Sequence, residues 1–236
     1  MKVRVKFKKH GAIRFIGHLD VMRFFQKCIR RAGLDIAYSG GFSPHQIMSF
    51  ASPLGVGLES NGEYMDIELN SVTNSEDMVK CLNEASVDGI EIISIKELPE
   101  GAGNAMASVA AASYTIGFRE GKMPKINIGE KITDFMSQEK IMITKETKKN
   151  ILEVDLRPGI YEFKCNEDGT LYLLVDASSG GNIKPITIIE ALLNKYGETL
   201  AENACLITRE ETYLNLSREE GKYEFVPLDA IGKDIF

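Results

Sequence analysis

The chain has 236 residues, 28 Lys+Arg against 34 Asp+Glu, and 44% hydrophobic residues. This composition suits a globular protein of one large or two small domains and excludes a disordered or peptide-sized module. No apolar run approaches the roughly 20 residues a membrane helix needs, and the opening MKVRVKFKKHG lacks a signal-peptide core, so a cytoplasmic protein with no membrane contact is expected. The mean charge conceals an asymmetry. Residues 1–50 hold ten basic residues and two acidic ones, a net of +8, and all three histidines (His10, His18, His45). The remaining 186 residues carry −14.

Residues 2–8 (KVRVKFK) alternate basic and apolar side chains, which predicts a strand with an outer row of cations. From Leu19 to Ala32, Val21, Met22, Phe25, Cys28, Ile29 and Ala32 recur at helical spacing, with Arg23, Lys27, Arg30 and Arg31 on the other side. Gly33 ends this helix, Asp20 suits its positive amino-terminal end, and the arginines suit its last turns. Residues 38–60 are rich in Gly, Ser and Pro but interleaved with aromatic and aliphatic residues, so an ordered loop leading to a short strand is expected. Strands at 63–69 and 90–98 flank a helix at 75–85, completing a β-α-β-β-α-β order. That order is the ferredoxin-like split βαβ arrangement.

PEGAGNAMASVAAA (99–112) reads as a linker or a short alanine-rich helix. Beyond it, strands are predicted at 113–120, 141–146, 150–165, 170–178 and 204–215, and helices at 129–138 and 185–196. Asp168-Gly169 marks a hairpin turn. With one extra strand, the first pattern repeats. The expected fold is therefore α+β, with tandem ferredoxin-like (βαββαβ) domains and antiparallel sheets. The domains fall at 1–98 and 113–216, joined by the 99–112 linker and followed by a tail at 217–236.

The four cysteines (Cys28, Cys81, Cys165, Cys205) are dispersed, so reduced and mostly buried thiols are expected rather than a disulfide framework, zinc site or iron–sulfur site. Phosphate-loop and dinucleotide fingerprints are absent, and no cofactor or resident metal is expected.

The densest run of chemically capable side chains is RFIGHLDVMR (14–23), then RRAGLDIAYSGGFSPH (30–45) and SFASPLGVGLES (49–60). These segments resemble the radical SAM-linked proteins, a family of unknown function found beside or fused to B12-binding radical SAM proteins. VDLRP (154–158) is also similar to a family segment. Gly17, Asp35 and Gln46 depart from the family pattern, where Ser, Pro and Pro are usual. The resemblance implies association with a radical SAM protein.

Three functions compete. In the first, RNA or a ribosome-related substrate is bound through phosphate contacts and base stacking. Lys2, Arg4, Lys6, Lys8, Arg14, Arg23, Lys27, Arg30 and Arg31 supply charge, and Tyr38, Phe42 and Phe50 supply stacking. The substrate-binding set is then Arg14, Asp20, Lys27, Arg30, Arg31, Tyr38, Ser39, Phe42 and Ser43. In the second, His18 and His45 act as general base and acid, with Arg23 stabilising charge, in metal-free RNA cleavage. A metal variant using His18, Asp20 and His45 has the right atoms but loose spacing. The third is a protein–protein adaptor without nucleic-acid contact. Each residue also has a structural reading: Asp20 as a helix-start carboxylate, His10 as a solvated turn residue, and Asp155 with Arg157 as a local ion pair.

Overall fold

A computed structural model describes residues 1–146 and 151–236. The fold is mixed α+β with mostly antiparallel pairing, and it divides into two compact units, residues 1–110 with 209–236, and residues 111–208.

The first unit runs β1 (Lys2–Lys9), α1 (His18–Arg31), β2 (Met48–Phe50), β3 (Glu59–Glu68), α2 (Ser75–Glu84), β4 (Ile90–Glu97) and α3 (Ala105–Ser108). β1 lies between β4 and β3, antiparallel to both, and β2 pairs with β3. Alternation along β1 sends Val3, Val5 and Phe7 to one face, where they meet Phe25, Cys28 and Ile29 of α1 and Met78 and Leu82 of α2. Both helices therefore cover the same face. Asn74 caps α2, accepting a bond from the Asp77 amide at 2.8 Å.

The opposite face of β1 does not form the expected open row of cations. Arg4 is directly across from Asp66 on β3 and is completely buried. Lys6 pairs with Glu211, and Lys8 with Glu91 at 3.0 Å. Residues 209–236 supply the cover. The strand β10 (Cys205–Asn215) brings Glu211, and β11 (Phe225–Pro227) pairs with it, leading to buried Leu228. The expected tail at 217–236 thus packs as part of the first unit. Lys233 exchanges backbone bonds with Glu97, and the Ile235 amide donates to Ser75 Oγ at 2.9 Å. The linker region likewise contains α3, capped by Asn104, with Ala105 buried.

The second unit contains β5 (Ala111–Phe118), α4 (Ile128–Met136), β6 (Met142–Glu146), β7 (Ile151–Asp155), β8 (Ile160–Cys165), β9 (Leu171–Asp176) and α5 (Pro185–Lys195). β9 pairs antiparallel with β5 and β8, and Gly169 at φ +81° makes the turn between β8 and β9. β6 and β7 form a separate two-stranded sheet. The strand expected over 150–165 is two strands, broken by a 3-10 turn at Arg157–Gly159, where proline removes a ladder donor; Asn150 lies outside the described residues. The expected Asp155–Arg157 ion pair is replaced by backbone capping. Asp155 Oδ1 accepts from the amides of Ile141 and Arg157, while Arg157 Nε donates to Met136 O. The cysteines are all free, with Cys28 buried, Cys81 and Cys205 half-buried, and Cys165 exposed.

Among the described residues, no helix is long and apolar enough to cross a membrane.

Candidate functional site

The motif segments of residues 14–60 meet at two places. The first is a hairpin laid beside α1. Tyr38 bridges Gln46, and the amide of Ser39 donates to His45 O at 2.8 Å, so residues 38–46 fold back on themselves. Gly41 takes φ +97°, a conformation favoured by glycine, and the turn lifts Phe42 wholly into solvent. Ser39 Oγ accepts the His45 amide at 3.1 Å and lies 2.8 Å from His45 Nδ1. Nδ1 is also 3.5 Å from the Ser43 carbonyl oxygen, so the ring is held against the hairpin by its own turn. Ser43 and His45 are both exposed. Buried Gln46 fastens the hairpin to the helix, Nε2 donating to Gln26 O at 3.2 Å.

Gln26 sits on a basic stripe. Arg23, Lys27 and Arg30 share one face of α1 through i, i+3, i+4 and i+7 spacing, and all three are exposed. Arg23 pairs with Asp20 at 3.3 Å, an exposed contact of small energetic value. Arg30 Nε donates to Gln26 O, and Arg31 Nη2 donates to Ala85 O at 2.7 Å. Lys27, Arg30 and Arg31 make no ion pair with a carboxylate among the described residues. Arg14 is drawn away from this group. It pairs with Glu59 at 2.9 Å, and its ring neighbour is Phe15.

Glu59 also organises His10, which is not the solvated turn residue expected. His10 Nδ1 is 3.3 Å from Glu59 Oε2, and Nε2 is 2.9 Å from Asn61 Oδ1, whose amide nitrogen donates to Glu210. Burial works to raise the Glu59 pKa, but the Gly11 amide, Arg14 and His10 outweigh it and hold the carboxyl below its ordinary value.

The second meeting place is a recess under the first turn of α1. His18 opens the helix and packs edge-on against Phe50, ring centroids 5.2 Å apart. Together with Lys9, Glu63 and Ser52 it walls a recess whose free space is about 10 Å³. Glu63 is buried in this wall, its Oε1 accepting from Arg209 Nη1 at 3.0 Å, and the same nitrogen donates to Ser52 O at 2.9 Å. Burial pushes the Glu63 pKa up, opposed by Arg209, Ser60, Lys9 and His18. Burial also pushes Lys9 down.

The two imidazoles have different partners, His18 at Phe50 beside Glu63 and His45 at Ser39, with no hydrogen bond or ring contact joining them among the described residues. Nor is any group of three or more His, Cys, Asp or Glu side chains among those residues placed to hold a metal ion. Lys9, Glu63 and Arg209 escaped the sequence reading, although a signal was present. Lys9 continues the Val3, Val5, Phe7 phase, and Glu63 stands opposite Phe7 in register. A charged residue in an apolar phase is the mark of a buried ionic group.

Comparison with known proteins gives three results. No curated protein matches. A solved structure described as "Crystal Structure of a Cbf5-Nop10-Gar1 Complex" is similar at 10% identity and a TM-score of 0.46, over 89% of this chain. This chain spans about half of that one, 48%, and the likeness is too slight to bear on function. The family described as "Uncharacterized protein conserved in bacteria (DUF2344)" matches residues 2–185. With most of its length covered by that match, the chain belongs to the DUF2344 family of uncharacterized bacterial proteins.

Proposed function

We propose that this chain is a binding protein, the accessory of a radical SAM enzyme, that recognises RNA or a ribonucleoprotein through α1 and the 38–46 hairpin. The observation that carries the reading is selective neutralisation. Lys2, Arg4, Lys6, Lys8, Arg14 and Arg23 have carboxylate partners, whereas Lys27, Arg30 and Arg31 at the end of α1 keep their charge open. Phosphate neutralisation by such side chains supplies sequence-independent affinity. The exposed Phe42 ring and half-exposed Tyr38 offer faces on which unpaired bases stack. The accessory role rests on the resemblance of residues 14–60 to radical SAM-linked proteins.

We infer in the same way that each unit is ferredoxin-like. In support, the first has the sheet order β4-β1-β3-β2, and the second has the antiparallel order β5-β9-β8 with the β6–β7 hairpin as an insertion.

Binding of fluorescently labelled single-stranded and structured RNA, followed by anisotropy across a salt series, tests the reading. Lys27→Glu with Arg30→Glu and Arg31→Glu is expected to weaken binding at least ~10-fold and flatten the salt dependence. Equal affinity in the triple variant removes the proposal, as does the absence of binding by the native chain. In the latter case, transfer of activity to the radical SAM partner without RNA contact identifies an adaptor. A metal-free endoribonuclease would need the two imidazoles, or one imidazole and Arg23, at one phosphate; His18→Ala and His45→Ala that each abolish cleavage while leaving binding intact would identify it.

A further inference from the structure

The apolar phase of β1 ends on a cation. Lys9 is only 3% exposed, and its Nζ donates to Ile16 O at 3.1 Å. An ammonium carries three donors, so this bond leaves two to be met. No carboxylate lies within 4 Å of Lys9 among the described residues. Glu63 acts on it only at longer range and is already held by Arg209 at 3.0 Å. Glu63 is thus bonded to Arg209 and faces Lys9 only from farther away. Buried charge without a counter-ion is costly, and proteins rarely keep it without use.

The recess supplies the place for a counter-ion. Lys9, His18 and Ser52 bring donors to its wall, while Phe50 and Leu54 exclude water from its sides. Its free space, about 10 Å³, is close to that of a single water-sized group. A whole phosphate does not fit there, but one oxygen of a larger anion does. A cation and an apolar ligand are both disfavoured by the buried ammonium.

We propose that this recess is an oxyanion site, in which one oxygen of a phosphate or carboxylate group enters beside the first turn of α1 and is held by Lys9, with His18 as a second donor. Glu63 does not oppose the ion unchecked, because Arg209 binds its Oε1 at 3.0 Å. The site is independent of the basic stripe on α1. It gives the His18-bearing motif a role that needs no contact with His45.

Titration of the full chain with inorganic phosphate and, separately, with acetate tests this, each at ionic strength matched with sodium chloride. The readout is the NMR shift of the His18 ring and the Lys9 ε-methylene. Saturable shifts with phosphate are expected, with affinity lowered at least ~10-fold in Lys9→Met. Saturation by acetate as well extends the ligand to carboxylates. His18→Phe keeps the packing on Phe50 and removes the second donor, and several-fold weaker binding is expected even if Lys9→Met fails to fold. Linear shifts, equal shifts with chloride alone, or unchanged affinity in both variants overturn the proposal.

Discussion

Arg4 and Asp66 face each other across β1 and β3 and close a two-point ion pair, Nε to Oδ1 at 2.7 Å and Nη2 to Oδ2 at 3.0 Å. Arg4 Nη1 also donates to Leu228 O at 2.8 Å, so one guanidinium ties the first strand to the last turn of the chain. Removing one member of a buried pair leaves the other charge stranded. Asp66→Ala is expected to cost about 3–5 kcal/mol in urea unfolding, whereas replacing both partners by apolar residues, Arg4→Met with Asp66→Leu, should cost less. A double variant no more stable than Asp66→Ala alone would contradict this account.

The same contact makes the carboxy-terminal segment part of the sheet's cover. Deleting residues 225–236 removes Leu228 O from Arg4, Asp229 from Ser94 and Tyr64, and the Ile235 amide from Ser75. The shortened chain should lose cooperative unfolding in its first unit and show faster amide exchange along β1. Unaltered exchange there would mean that the segment is only an appendage.

Lys9 makes stability depend on alkaline pH. Burial lowers its pKa below lysine's ordinary 10.5, with Glu63 opposing and Arg209 assisting the shift. Between the folded value and 10.5 the unfolded chain binds more protons than the folded one, so unfolding free energy rises with pH in that window. Lys9→Met has no proton to release. Its stability relative to the native chain should be greatest at neutral pH, and the gap should narrow as pH approaches 10.5, measured by urea midpoints at several pH values. A gap independent of pH would show that Lys9 titrates normally.

Phe42 separates recognition from stability. Its ring touches no core, and substitutions at such exposed positions usually change stability by less than ~0.5 kcal/mol. Phe42→Ala should therefore unfold like the native chain, yet bind single-stranded RNA with a loss of about 1–3 kcal/mol, the usual worth of one base stacked on an aromatic ring. Unchanged RNA affinity would confine the interface to the charges of α1.

Periodicity alone carried much of the local structure. The alternation of KVRVKFKK and the 3.6-residue spacing of Val21, Phe25, Cys28 and Ile29 place β1 and α1 within one residue of their observed ends, because burial of one face is a local property of the pattern. The outward placement of Lys27 and Arg30 follows from the same reasoning. What became of the other cations did not. Asp66 lies 62 residues from Arg4, and Glu211 lies 205 residues from Lys6, so their pairing depends on strand register and chain return. The contact of His18 with Phe50, that of His45 with Ser39, and the enclosure of Lys9 beside Glu63 are likewise tertiary results. The sequence by itself determined which segments alternate and where positive charge is concentrated. Only the fold decided which charges are neutralised, because an ion pair forms where geometry brings opposite charges together, and linear distance carries no record of that.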